Sequence, residues 1–273
     1  MRFETREQEI EQYYRTLHDA YGAQHWWPAR TRFEVIVGAY LTQNTSWNNV
    51  EAALRRLRQA HALSLAAIRT MPVAELQSLV RAAGYFRQKA ARLKIFVDFL
   101  DRRYSGSLKR MFSQPAAKLR QELLELNGIG PETADSILLY AGQHEVFVVD
   151  AYTRRILDRH GILPASADYQ EIRALFERSL SGVSCGPPFQ PAFVEDEEDA
   201  RRKRGAHVVP ARSTAHEPSR MSLAPRSQLA QIYNDMHGLL VAVGKHYCLK
   251  AKAQCEGCPL QKFLPADRRK DRE

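Results

Sequence analysis

Leu126-Asn127-Gly128-Ile129-Gly130-Pro131-Glu132-Thr133-Ala134 is the stretch on which the reading of this chain turns. Before it, Leu119, Leu123 and Leu126 recur at i, i+4, i+7; after it, Ala134, Ile137, Leu138 and Ala141 recur at i, i+3, i+4, i+7. Both flanks therefore read as amphipathic helices. The two glycines between them permit positive φ and close backbone approach, and Ile129 is placed to plug the space between the helices. Pro131 suits a first helical turn. Backbone N–H groups of such a hairpin and of the following helix start point outward together, which makes a site for a phosphate oxygen held without reading bases. An ordinary helix-to-helix turn with a glycine pair would give the same pattern. Asp150, at the end of the extended run Val146-Phe147-Val148-Val149, separates the two readings.

Composition bounds the partner. The chain has 273 residues, 44% of them hydrophobic, and a formal net charge of +9. That length supports a full core and two lobes. No apolar run approaches the ~18 residues of a membrane span, and the first fourteen residues are charged rather than signal-like. A cytoplasmic, monomeric protein is expected. The positive balance favours a polyanion. It is not concentrated in residues 183–226, where acidic and basic side chains nearly cancel, so the excess belongs to the folded remainder.

The hairpin followed by an aspartate-bearing segment, Val149-Asp150-Ala151-Tyr152-Thr153-Arg154-Arg155, resembles the endonuclease III superfamily of helix-hairpin-helix DNA glycosylases. Gln43-Asn44-Thr45 matches a Gln-x-Thr segment near the DNA, and Cys248-x6-Cys255-x2-Cys258 resembles the start of the family's iron-sulfur loop. The resemblance implies an all-α, two-lobed fold that binds double-stranded DNA containing a damaged base. It implies Asp150 as the catalytic carboxylate, and Leu126, Gly128, Ile129, Gly130 and Thr133 as the backbone grip. Gln43, with Asn44 beside it, is matched to the residue that fills the gap left by a flipped nucleotide, since the glycosidic carbon is not reachable inside the stack.

The departures narrow the chemistry. Glu132 stands where bifunctional members carry a lysine whose amine attacks the sugar, and a carboxylate cannot form that Schiff base. Lys89 and Lys245 remain as other amines. Trp26-Trp27-Pro28 together with the Leu-Thr-Gln-Asn-Thr segment resembles the endonuclease-III-like 3-methyladenine glycosylases. Trp26, Trp27, Pro28 and Trp47 are then the walls of a base pocket, in which a cationic alkylated purine would gain roughly 1–2 kcal/mol by cation–π attraction. Burial of the indoles in an ordinary core is the alternative. For Asp150 the alternative is a helix N-cap, worth about 1 kcal/mol, although a cap can also serve chemistry. A bifunctional glycosylase and lyase on oxidised pyrimidines, or a non-catalytic DNA-binding protein, are the rival functions.

Three cysteines keep the cluster spacing, but the family's fourth position is Leu264. Either Cys185 completes a [4Fe-4S] site with Cys248, Cys255 and Cys258, or the loop holds zinc, or it holds nothing. The expected organisation is a helical lobe over 29–141 and a second lobe from 1–28, 142–182 and 227–265. A disordered insertion is expected over 183–226, which holds six of the thirteen prolines, followed by a charged tail over 266–273.

Overall fold

The computed structural model describes residues 3–183 and 215–265. Cys185, the acidic and basic runs of the expected insertion and the charged tail lie outside the described residues. Among the described residues every regular element is helical, and the run before Asp150 forms no strand.

The chain divides into two compact units. One comprises 27–148 and 217–230. It contains α1 through α8 as numbered here: α1 (Arg32–Leu41), α2 (Trp47–Gln59), α3 (Leu65–Thr70), α4 (Val73–Leu79), α5 (Phe86–Tyr104), α6 (Leu108–Phe112), α7 (Ala116–Leu124) and α8 (Pro131–Ser136). A 3-10 turn, Arg81–Ala83, precedes α5, and α8 continues as a π-helical segment, Ile137–Ala141. The other unit comprises 1–26, 149–216 and 231–273. It holds the N-terminal helix Arg6–Tyr21, α9 (Ala151–His160), α10 (Tyr169–Leu180) and most of α11 (Gln228–His246). The N-terminal helix packs along α10.

Local signals set most helix starts. Thr5, Thr31, Ser64, Ser107, Asp150 and Asp168 each cap a helix by accepting a backbone N–H two or three residues on, each worth about 1 kcal/mol. In the hairpin unit α1 is buried from Phe33 through Leu41. Its one carboxylate, Glu34, takes the Arg58 guanidinium and the Arg30 N–H, so the charge is matched inside the core.

Three sequence expectations change. The flank after the hairpin is not amphipathic: Ala134 and Ile137 through Ala141 are all at most 1% exposed, because this segment crosses the centre of its unit with α1 against it. The lobe boundary moves outward. Trp27, Pro28 and residues 142–148 belong with the hairpin unit, and the Trp27 indole lies where a Cβ on Gly38 would be 3.1 Å away. Residues 215–226 are ordered rather than part of a disordered insertion. The Met221 N–H donates to Ala29 (3.0 Å), Ser219 bridges Trp27 and Ala29, and Met221 is buried.

Candidate functional site

The hairpin is clamped from within its own unit. Arg120 on α7 and Asp135 on α8 form a two-pronged pair, Nε to Oδ1 at 2.6 Å and Nη2 to Oδ2 at 3.2 Å, with Asp135 fully buried. Ile129 is 6% exposed and fills the space between the helices as the sequence suggested. The two glycines have different reasons to be there. Gly128 has φ +83°, and a Cβ on it would stand 1.9 Å from Nε of Arg92. Gly130 has φ −96° and ψ 177°, a conformation open to any residue, and nothing lies within 4 Å of the missing Cβ. Neither glycine N–H makes a hydrogen bond within the described residues.

Gln43 serves this hairpin. Its Nε2 donates to the Gly128 carbonyl (2.8 Å) and to Thr133 Oγ1 (2.9 Å), while its Oε1 accepts from Arg92 (2.8 Å). In this state the Gln43 amide is committed on both ends, so it braces the grip rather than standing free as a wedge. Thr133 is buried and part of the same brace, which corrects its expected role facing DNA. Leu126 is half-buried, and its carbonyl accepts the Ile129 N–H at 3.1 Å, closing the turn. Asn44, by contrast, is exposed at φ +53°.

Lys89 is removed from chemistry by geometry. It is 1% exposed, and its amine donates to the carbonyls of Leu41 and Ala83, both at 2.8 Å. Burial, with Arg92 nearby, pulls that amine down to about 8. The two carbonyls end the helical segments that lead into Gln43-Asn44 and Gly84-Tyr85. Tyr85 is 66% exposed and left-handed at φ +43°. A large aromatic held outward in a strained turn is costly to a fold and calls for a ligand. The sequence showed only a break there, because neither exposure nor the sign of φ is written in the residue type.

Asp150 sits in the other unit, at the start of α9. Its Oδ1 accepts the backbone N–H (2.7 Å) and the hydroxyl (2.9 Å) of Thr153. Its Oδ2 faces Nε2 of His237 on α11 at 3.6 Å. Burial pushes the carboxyl upward, but His237 and the two Thr153 donors outweigh it and hold the group below the ordinary carboxylate value. The result is a buried anion with one oxygen consumed by the helix cap. His237 was missed from sequence. The available signal was Asn234-Asp235-Met236-His237, polar residues on a helix whose residues here are nearly all buried.

The aromatic set splits. Trp27 packs edge-on against Trp47 (5.3 Å) and tilted on Tyr140 (5.3 Å), and is only 4% exposed, so it backs Trp47 instead of forming an open wall. Pro28 beside it is half-buried. Trp26 belongs to the other unit, where it lines a cavity of about 200 Å³ with Gln24, His216, Gly238 and Lys245. The Lys245 amine lies 5.7 Å from the Trp26 ring centre, a cation–π contact. Glu132 is exposed in the first turn of α8, where an acid suits the helix dipole.

The cysteine loop does not present a ligand set. Among the described residues no three Cys, His, Asp or Glu side chains converge closely enough to hold a metal ion. Arg159 donates to the Cys248 sulfur (3.3 Å) and the Leu249 carbonyl (2.7 Å), and Arg155 to the Cys248 carbonyl (2.6 Å). Burial, with the other two sulfurs nearby, pushes the Cys258 thiol up to about 12. Leu264 is buried, as an apolar side chain should be.

Comparison with known proteins agrees with this inventory. Residues 37–181 match the HhH-GPD superfamily of base excision DNA repair proteins. A Methanocaldococcus jannaschii protein assigned as a DNA repair glycosylase is 38% identical over 252 residues, covering 92% of this chain and 93% of that one. The structure of H. pylori 3-methyladenine DNA glycosylase bound to 1,N6-ethenoadenine superposes with a TM-score of 0.63 at 26% identity, covering 88% of this chain and 97% of that one. An endonuclease III–DNA covalent intermediate shares the fold, with a TM-score of 0.67 at 18% identity over 97% and 99% of the two chains. A hairpin with two unengaged glycine N–H groups, a capped and ionised aspartate downstream and this match over more than half the chain lead to one assignment: the chain belongs to the HhH-GPD superfamily, as an endonuclease III-type base excision DNA glycosylase.

Proposed function

We propose that this glycosylase hydrolyses the N-glycosidic bond of an alkylated purine in double-stranded DNA and leaves the abasic strand uncut. Asp150 is the observation that carries the reading. An anion kept ionised in a buried setting stabilises the positive charge that develops on the sugar as the base departs, and its Oδ2 can also orient the attacking water. A carboxylate this acidic is a poor general base, so charge stabilisation is its main contribution. The Gly128 and Gly130 N–H groups hold a phosphate, and Asn44 and Tyr85 are the side chains placed to enter the duplex when a nucleotide leaves it.

The absence of a lyase step follows from the amines. Glu132 supplies none, and Lys89 is buried with its hydrogens committed. Lys245 is the remaining amine near an aromatic cavity. Its contact with Trp26 also changes the basis of lesion choice: that ring already carries a cation, so selectivity for a charged base would rest on Trp47 and its Trp27 backing. The weakened glycosidic bond of alkylated purines, and the ethenoadenine seen in the H. pylori relative, support the same substrate class without that charge. We place the enzyme in the cytoplasm as a monomer. The cysteine loop is proposed as structural, with a [4Fe-4S] cluster carried only by its spacing and by the resemblance.

Duplexes bearing single lesions, scored separately for free base and for strand breaks, test this. Alkylated purines should be released with breaks appearing only after alkali, and Asp150→Asn should bind DNA but excise about 10²–10⁴-fold more slowly, the range for positioned acid, base and electrostatic groups. Strand nicking with a borohydride-trapped adduct on oxidised pyrimidines would overturn the reading and point to Lys245.

A further inference from the structure

The two oxygens of Asp150 have unequal surroundings, and the difference assigns a task to a residue outside the aspartate's own segment. Oδ1 is satisfied twice by Thr153, within one turn of α9. That leaves Oδ2 as the oxygen able to meet a sugar or a water. The nearest group to it is Nε2 of His237, at 3.6 Å, and His237 is 5% exposed.

We propose that His237 is the positioning residue for the reactive oxygen of Asp150, directing Oδ2 with an Nε2–H while the ring stays neutral. This rests on Asp150 acting as proposed above. The charge state matters. A hydrogen on Nε2 attracts the carboxylate, a lone pair there would repel it, and a full imidazolium would set a cation against the positive sugar that the carboxylate has to stabilise. At 3.6 Å the contact is longer than a hydrogen bond, a looseness usual before substrate arrives. The other groups around the carboxylate are on its own helix. They are Thr153 and Tyr152, and Arg155 lies 5.0 Å over the Tyr152 ring. Asp235, two residues from His237, is engaged by Gln231 at 2.9 Å. His237 is therefore the one group from a different element acting on Oδ2.

The sign of the pH effect follows. With His237 and Thr153 present the carboxyl is held below its ordinary value; with His237 gone, burial is opposed by Thr153 alone and the carboxyl rises. Excision should then fail at a higher pH as the solution is acidified.

The test compares His237→Leu, which fills the space without a donor, with His237→Gln, whose Nε2 reaches about as far as that of the imidazole. Single-turnover release of 1,N6-ethenoadenine from a duplex is followed against pH, beside duplex affinity and thermal unfolding. The Leu variant should lose about 10²-fold in rate, the scale of a misplaced reacting group, with its acid limb moved to higher pH and affinity unchanged. The Gln variant should regain most of the rate and the original limb. Equal loss in both variants with unmoved limbs, or a Leu variant with wild-type rate, overturns the proposal. If the Leu variant does not fold, the wild-type ring decides by nitrogen NMR: hydrogen on Nε2 supports the assignment, and a lone pair there overturns it. Asp150→Asn run in parallel keeps the two claims apart. An active Asn variant sinks the role of Asp150 itself, whereas an inactive one beside a fully active Leu variant sinks only that of His237.

Discussion

Replacing the two hairpin glycines one at a time by alanine separates what the fold needs from what the ligand needs. Gly128→Ala puts a Cβ on a backbone at φ +83°, which costs about 1–2 kcal/mol, and drives that Cβ to within 1.9 Å of Arg92. Arg92 must swing away and release the Gln43 amide, a charged hydrogen bond worth about 1.5–3 kcal/mol. The total is on the order of 3–4 kcal/mol, which corresponds to a fall in unfolding temperature of roughly 10 °C for a chain of this size. Gly130→Ala meets no atom and no strained φ, so stability should hold or rise by ~0.4–1 kcal/mol through the unfolded chain. Yet both should lose DNA affinity, and should lose it equally on unrelated sequences, because a methyl group keeps a phosphate from the Gly130 N–H. Circular dichroism melts and fluorescence anisotropy on two unrelated duplexes give the answer. Wild-type affinity in Gly130→Ala would refute the phosphate grip, and an unshifted melt in Gly128→Ala would refute the role given to Arg92.

Lys89→Met should leave affinity for undamaged DNA intact and slow excision about 10-fold or more, since the Leu41 and Ala83 carbonyls lose the ammonium that fixes both adjoining loops; stopped-flow fluorescence of a 2-aminopurine beside the lesion, unchanged from wild type, would argue against that coupling. Its melt should move little, because two lost hydrogen bonds are offset by no longer burying a charge. Arg120→Met leaves the Asp135 carboxylate buried and unmatched and should cost about 3–5 kcal/mol in denaturant unfolding, most of it recovered when Asp135→Leu is added. For the cysteine loop, anaerobic purification followed by metal analysis should return iron if a cluster assembles, and Cys185→Ala then reports the fourth ligand: loss of iron implicates it, retention excludes it.

The sequence carried the hairpin because its message is local: two glycines, a proline at the helix start and apolar spacing on either side each act within a turn. Asp150 was legible as a cap for the same reason, its Thr153 partner being three residues away. What escaped was long-range pairing. Gln43 reaches 85 residues to Gly128, and His237 reaches Asp150 from a helix whose buried face was read only as apolar. Trp26 and Trp27 are adjacent and similar, and only packing against Gly38 on one side and His216 on the other sends them to different units. Helix α6 and the 3-10 turn Gln261–Phe263 were not anticipated, each being too short for periodicity to register.

The π-helical segment Ile137–Ala141 has a meaning in mutational terms. Such a turn holds one residue more than an α-helical one, so it is the mark a single insertion leaves in a helix. Deleting one residue there would give the backbone an easier hydrogen-bond pattern, yet would turn everything after it by about 100°. Tyr140, which now meets Trp27, would leave that ring. Length at this point is thus under tighter constraint than side-chain identity: conservative replacements of Leu138 or Leu139 are tolerable, and a missing codon is not.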